Sequence, residues 1–227
     1  MAMLEHLNRL DALRGSAQYR ADFFADVKRV KHWQRLRLGY TYRDLAVDTR
    51  FGPATAFFLD ELYGDKETLI RDRDLLRMYP TIKRLLPKFA FETLSSALAL
   101  DVLSEEFDQA IATELRDVPI NNGAYCAAFR AVGRKADRLR QVAVMQDVGH
   151  GLDAVVKKPL IYATLKMLRR PSKMAGLADM QQFLESGFTA FRHMKGAAPF
   201  LHTIAERETA LIEAIFSGGI PILRPEV

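Results

Sequence analysis

Residues 53–64 read Pro-Ala-Thr-Ala-Phe-Phe-Leu-Asp-Glu-Leu-Tyr-Gly, and the two ends of this segment carry opposite helix signals. Proline is favoured in the first helical turn, where its missing N–H leaves no hydrogen bond unmade. Glycine is favoured just past the last turn, where the backbone turns left-handed. A helix of about three turns is marginal on its own. We therefore predict that this segment is a plug packed among longer helices.

Longer helical patterns lie on both sides of the plug. Leucines at three-residue intervals predict an N-terminal helix over residues 1–15, ended by Gly15. Apolar residues spaced by three and four predict further helices over 17–38, 67–79, 88–116, 124–147, 152–169, 177–194 and 199–216. The 88–116 pattern carries two adjacent apolar stripes, which indicates a central helix with a wide buried face.

The patterns together predict an all-α fold, a single compact bundle of seven to nine helices, for which a globin-like packing is one candidate. Breaks are predicted at residues 149–151 and in a loop over 169–172. No linker-like stretch interrupts the chain, so residues 1–227 are expected to form one domain. Gly218 and Gly219 end the last helix, and residues 218–227 are expected to form an extended tail that docks through its apolar side chains.

Composition is typical of a globular protein of one core. The chain has 227 residues, 49% of them hydrophobic, and a formal net charge of +5. Its only cysteine, Cys126, excludes an intramolecular disulfide and a cysteine-based zinc site, and its apolar setting predicts a small buried hydrophobe. Neither a signal-peptide pattern nor an apolar run of about 18 residues is found. We expect a cytoplasmic protein without a membrane span.

Signatures of common catalytic sites are missing from the sequence. It contains no glycine-rich phosphate loop, no His-Glu-x-x-His helix, no nucleophile elbow and no kinase motif. The nearest metal-like spacing is His202 and Glu206, which is more typical of a surface pair. These absences lower the expectation of an enzyme without excluding one, and no cofactor is predicted.

His150 lies between two glycines, Gly149 and Gly151, and allows two interpretations. Glycines permit the close approach of a flat ligand, and an imidazole in such a position is able to ligate haem iron. Alternatively, the glycines mark a helix crossing or a break, and the histidine is incidental.

The aromatic residues Phe183, Phe188 and Phe191 also allow two interpretations. They are suited to line a pocket for an apolar ligand, or they form part of the ordinary core. We regard the core as the more common use of aromatics at helical spacing.

The predicted second helix carries a basic face beside Trp33. Basic and aromatic side chains together bind phosphate backbones and stack on bases. The alternative is a solvated helix face, with Trp33 turned into the core and the positive charge diluted by Asp22 and Asp26. The cations of this face are Lys28, Arg29, Lys31, Arg35 and Arg37.

Two segments resemble a family of uncharacterised proteobacterial proteins. Residues 57–64, FFLDELYG, look like the family signature, and residues 176–192 look like the same family. The resemblance extends over most of the chain. It implies no activity, cofactor or catalytic residue, and the family is not associated with a histidine at the position of His150.

Our leading hypothesis is a non-enzymatic helical protein that acts by binding a protein partner or a small apolar ligand. The first alternative is a globin-like sensor that binds haem, a tetrapyrrole, through His150. The second is a nucleic-acid-binding protein that uses the basic helix face. Self-association is a further option, for which the sequence locates no interface.

Overall fold

The computed structural model describes residues 2–18, 21–62 and 68–225, and within them all regular structure is helical, without a β-strand. This confirms the all-α prediction. The helices are α1 (Ala2–Gln18), α2 (Ala21–Thr41), α3 (Arg43–Val47), α4 (Gly52–Phe57), a π-helix (Phe58–Leu62), α5 (Thr68–Leu85), α6 (Lys88–Leu115), α7 (Asn122–Val132), α8 (Lys135–Val156), α9 (Pro159–Met167), α10 (Arg169–Met174), α11 (Ala178–His193) and α12 (Ala198–Phe216).

More helices are described than the seven to nine that the sequence predicts. The difference lies in the division of the predicted 124–147 helix between α7 and α8, and in α3 and α10, which have only five and six residues. A helix this short spans fewer than about two turns, so it leaves no repeating apolar pattern to detect.

Helix α6 is the central element, as its two apolar stripes predict. Helices α1, α2, α7 and α8 all pack against it. Its inner side chains Phe107, Ile111 and Leu115 are buried. Pro87 precedes its first turn, and its last turn is followed by Arg116 at a positive φ of 37°.

The plug helix is real but short, because the backbone changes from α to π geometry at Phe58. Ala54 is fully buried, and the Phe58 ring lies 5.8 Å from the ring of Phe191 and 6.0 Å from that of Phe200. Helix α4 packs against α3 and α11, while α6 occupies the centre of the bundle. The predicted stop at Tyr63 and Gly64 lies outside the described residues.

Two predicted interruptions are wrong. Residues 149–151 lie inside α8, and residues 169–172 form most of α10. A Cβ on Gly149 would collide with the side chain of Leu201 in α12, and a Cβ on Gly151 would lie 2.5 Å from Oγ1 of Thr93 in α6. The two glycines thus allow close helix crossings rather than a break.

The real break falls inside the predicted 124–147 helix. Gly133 and Arg134 both have positive φ, 68° and 58°, which ends α7 and starts α8. Gly15 likewise does not end α1, which continues to Gln18. An isolated glycine weakens a helix by only about 1 kcal/mol, so packing is able to override it.

The tail docks as predicted, through one of its apolar residues. Leu223 is buried in the core formed by α2, α6, α7 and α12, while Ile220 and Ile222 are exposed. The buried side chain of Asn122 holds the tail in place: its Oδ1 accepts from the N–H of Leu223 at 3.2 Å, and its Nδ2 donates to the carbonyl of Arg224 at 2.9 Å.

Candidate functional site

A groove of about 790 Å³ runs between α11 and the α4–π segment, residues 52–62. One wall is a stripe on α11 that recurs every three or four residues from Ala178 to His193. This stripe extends over about 22 Å at 1.5 Å per residue. The facing wall is formed by Pro53, Ala56, Phe57, Asp60 and Glu61.

The lining of the groove combines apolar surface with hydrogen-bonding groups. Phe57 and small residues such as Ala56 supply the apolar part, and the exposed side chains of Gln182 and Thr189 supply part of the polar lining. The other polar lining residues, several of them charged, are Asp60, Glu61, Arg169, Lys173, Gln181, Glu185, Ser186 and His193. Gly187 lets the Phe57 ring approach the α11 backbone, since an added Cβ would lie 2.8 Å from Cζ of that ring. Phe57 and Gly187 therefore set how closely the two walls of the groove approach each other.

Arg35 of α2 fixes the π-helical wall. Its Nη2 donates to Oδ1 of Asp60 at 2.7 Å, and its Nε donates to the carbonyl of Leu59 at 3.1 Å. The second bond helps to hold a π-helix, whose wider turn is uncommon and is often found at functional sites.

The C-terminal end of α11 is fixed from the other side. Arg50 donates from Nε to the carbonyl of Met194 at 2.6 Å and from Nη2 to that of Gly196 at 2.9 Å. Nε2 of His193, which lines the groove, lies 2.9 Å from the carbonyl of Thr49. These contacts tie the end of α11 to the loop that leads into α4.

An ion pair lies in the groove beside α10, about midway along the α11 wall. Arg169 forms two hydrogen bonds to the carboxylate of Glu185, one of them from Nε to Oε1 at 2.6 Å. Gln181 also donates to Glu185 Oε1, at 2.8 Å. The hydrogen bond from Arg169 is the main cause that lowers the pKa of Glu185 to about 2, so this carboxylate is ionised at neutral pH.

His150 lies apart from this groove. Its side chain is exposed on α8, and it lines neither the groove nor a smaller cavity of about 190 Å³ beside Tyr162 and Phe191. Because Gly149 and Gly151 accommodate Leu201 and Thr93, the structure favours the helix-crossing interpretation of these glycines.

The three phenylalanines singled out from the sequence pack mainly in the core. Phe188 and Phe191 are buried, and the Phe188 ring stacks on that of Tyr162 at 4.9 Å. Phe183 packs beneath the groove, with its ring 5.4 Å from that of Phe57.

The basic residues of α2 do not form one patch. Four of them have an acidic partner: Arg29 pairs with Asp26, Lys31 with Glu105, Arg35 with Asp60 and Arg37 with Glu208. The ammonium of Lys28 lies over the ring of Phe24. Trp33 is buried and stacks on Tyr125 with ring centroids 4.2 Å apart, which agrees with the alternative that it is turned into the core.

The cysteine and the pair formed by His202 and Glu206 lie outside the groove. Cys126 is fully buried, and burial raises the pKa of its thiol. His202 and Glu206 form an exposed pair on α12 at 3.2 Å. In the part of the chain that the structure describes, no three His, Cys, Asp or Glu side chains are grouped so as to hold a metal ion, and no helix is long and apolar enough to cross a membrane.

Sequence reasoning did not identify the groove, although one signal pointed to it. The two segments that resemble a common family, 57–64 and 176–192, contribute to its opposite walls. A family model for a domain of unknown function, DUF8198, matches residues 14–220. The chain belongs to the DUF8198 family.

The DUF8198 match includes every residue that lines the groove. It confirms membership of an uncharacterised family, whereas the FFLDELYG signature and the proteobacterial origin stay predictions. No curated protein and no solved structure matches the chain significantly.

Proposed function

We propose that this DUF8198 protein is a non-enzymatic binding protein whose groove along α11 holds a peptide segment of a partner protein. The observation that carries the proposal is the shape of the groove, which is long, open on one side and bounded by two helical walls.

The shape favours a peptide over a small apolar ligand. Sites for small molecules enclose about 70–90% of the ligand surface, whereas this groove is open along α11. A length of about 22 Å corresponds to about four turns of helix, and an amphipathic helix laid in an apolar groove is a recurring mode of peptide recognition.

The walls are already fixed before any partner arrives. Arg35 holds the π-helix, and Arg50 and His193 hold the end of α11. Binding to such a preorganised surface costs the protein little conformational entropy. Less of the favourable contact energy is therefore offset when the peptide binds.

The lining also indicates the kind of peptide. Phe57 and Ala56 offer contact to an apolar side chain, while Gln182 and Thr189 offer hydrogen bonds at the rim. We expect an amphipathic segment with apolar residues at intervals of three and four.

The test is a selection from a displayed library of random peptides about four helical turns long. Peptides selected on the wild-type protein are then measured against Thr189→Trp, which places an indole in the groove. Thr113→Trp is the matched control, since Thr113 is an exposed threonine on α6 outside the groove.

We expect Thr189→Trp to weaken binding at least tenfold, because the indole occupies the space of the peptide, and Thr113→Trp to leave affinity unchanged. A selection that yields no binder, or binders equally insensitive to both changes, would contradict the proposal.

The alternatives from the sequence stay predictions. A haem-binding sensor and a nucleic-acid-binding protein are not favoured by any specific feature described above. The cytoplasmic location and self-association likewise stay predictions.

A further inference from the structure

A second surface differs from the rest of the chain because all of its charged residues are positive. Residues 154–178 contain no Asp or Glu, and all six of their charged residues are cations: Lys157, Lys158, Lys166, Arg169, Arg170 and Lys173. The same residues include α9 and α10, which contain the two most exposed methionines among the described residues, Met167 and Met174.

Helices α9 and α10 follow each other with almost no break. The N–H of Leu168 donates to the carbonyl of Thr164 at 3.1 Å, and the N–H of Ser172 donates to that of Leu168 at 2.9 Å. Helical phase therefore continues from one helix into the next, and residues seven positions apart fall on nearly the same side.

Three large apolar side chains share the outer side. Leu160 and Met167 are 78% exposed, and Met174 is 90% exposed. They recur at seven-residue intervals, so they form one row along the outside of the helix pair. We call residues 157–174 the α9–α10 ridge.

The inner side of the ridge is already used for packing. Ile161, Tyr162 and Leu165 pack against the core formed by α4, α8, α11 and α12. The outer row is thus separate from the core-facing side, and its three large apolar side chains, about 10 Å apart along the helices, are exposed to solvent. Exposed apolar groups of this kind are candidates for an interaction surface.

The ridge also carries positive charge, and the ammonium of Lys166 lies over the ring of Tyr162 at 4.4 Å. Lys157 pairs with Asp153, and Arg169 pairs with Glu185. The other four cations, Lys158, Lys166, Arg170 and Lys173, form no ion pair with any residue in the described part of the chain.

We propose that the α9–α10 ridge docks on an anionic lipid surface. In this arrangement the side chains of Leu160, Met167 and Met174 enter the headgroup region, and the cations meet lipid phosphates. Basic helices with an apolar face bind membrane interfaces in this way, and polybasic surfaces are attracted by anionic lipids.

The exposed apolar row favours lipid over nucleic acid as the molecule that binds the ridge. Binding to a phosphate backbone uses cations and leaves Leu160, Met167 and Met174 in water. A lipid interface receives both the charged and the apolar part of the ridge. The proposal is independent of the peptide groove, whose lining includes only Arg169 and Lys173 of the ridge.

The test is flotation of the full chain with vesicles of phosphatidylcholine alone and of phosphatidylcholine with phosphatidylglycerol. The charge variant is Lys158→Gln/Lys166→Gln/Arg170→Gln, and the apolar variant is Leu160→Ser/Met167→Ser/Met174→Ser. Both leave Arg169 and Lys173 of the groove unchanged, and folding of each is checked by thermal unfolding.

Matched controls change the same residue types elsewhere. The charge control is Lys28→Gln/Arg43→Gln/Arg116→Gln, at exposed positions outside the ridge. The apolar control is Val47→Ser/Ile220→Ser/Ile222→Ser, whose side chains are 84%, 59% and 75% exposed.

We expect the wild-type chain to float with the phosphatidylglycerol vesicles and not with phosphatidylcholine alone, and to be released by salt. Each removed cation should weaken partitioning about fivefold, so the charge variant should lose about 100-fold. The apolar variant should lose at least about tenfold, and both controls should float like the wild type.

Three results would overturn the proposal. The first is a wild-type chain that does not float with phosphatidylglycerol vesicles, which would leave an acidic protein as the better occupant. The second is flotation that the apolar variant retains in full, since adsorption by charge alone does not use the exposed row. The third is an equal loss in the controls.

Discussion

At the scale of single residues, the bundle contains buried ion pairs that join distant parts of the chain. Glu105 of α6 is 2% exposed, and its Oε2 accepts from Nε of Arg14 at 3.0 Å and from Nζ of Lys31 at 2.5 Å. Burial by itself raises the pKa of Glu105, but Lys31 and Arg14 outweigh it and lower the pKa to about 2.

We predict that Glu105→Gln lowers the free energy of unfolding at pH 7 by about 3 kcal/mol, because Lys31 loses its partner and Arg14 keeps only Asp72 and Asp101. Urea unfolding measures this loss. The neighbouring change Glu106→Gln is the control, since Glu106 pairs with Arg9 and Arg134 near the surface, where ion pairs contribute about 1 kcal/mol or less.

The loss of stability caused by Glu105→Gln should depend on pH. Glu105 has an ordinary pKa of 4.5 when unfolded and about 2 when folded. Its ionised form thus stabilises the fold above pH 4.5, and that contribution is lost as the pH falls towards 2. The difference between wild type and Glu105→Gln should shrink over this range, and a difference that stays constant would argue against a buried ionised carboxylate.

These pairings explain why the sequence alone leaves the role of the basic residues of α2 open. Their spacing shows a charged helix face, but the partners of Lys31 and Arg37 are Glu105 and Glu208, which are far away in the sequence. Only the tertiary packing reveals that a cation is already neutralised, so a sequence pattern overestimates the free charge. The burial of Cys126, by contrast, followed from its apolar neighbours.

At the scale of elements, some helical glycines permit a close helix crossing and others face open space. The sequence does not distinguish the two kinds. Gly151 lies at the crossing of α8 and α6, against Thr93, whereas Gly39 of α2 has nothing near the position of its absent Cβ. Thr93 is held by a hydrogen bond from its Oγ1 to the carbonyl of Phe89 at 2.9 Å, which limits how far it can move aside.

We predict that Gly151→Ala lowers the free energy of unfolding by about 1–2 kcal/mol, because overpacking at the crossing exceeds the gain in helix propensity. Gly39→Ala should raise it by about 0.5–1 kcal/mol. Thermal unfolding of the two variants tests whether Gly151→Ala lowers and Gly39→Ala raises the stability of the fold. Stabilisation by Gly151→Ala would show that the crossing is not closely packed.

Long elements with clear end signals were predictable. Pro87 and Pro199 mark the starts of α6 and α12, and both helices have sustained apolar patterns. The boundary between α7 and α8 was missed, because the positive φ of Arg134 leaves no mark in the sequence beyond the neighbouring Gly133. Local signals therefore give the helices, while packing decides which glycines end them.

At the scale of the whole molecule, the groove arises from two segments that are far apart in the chain. The family resemblance pointed to both, at 57–64 and 176–192, but gave no reason for them to meet. They meet because Phe57 packs on Phe183 and against Gly187, and because Arg50 ties the loop before α4 to the end of α11. A site made by such contacts is visible only once the fold is known.

Hydrogen exchange of the protein, with and without a peptide selected on it, shows directly whether the groove is the binding site. We predict that the peptide slows amide exchange in residues 53–61 and 178–193, the two walls of the groove, and leaves the α9–α10 ridge outside residues 169–173 unchanged. Slowed exchange confined to other helices, with both walls unaffected, would contradict the assignment of the groove as the binding site.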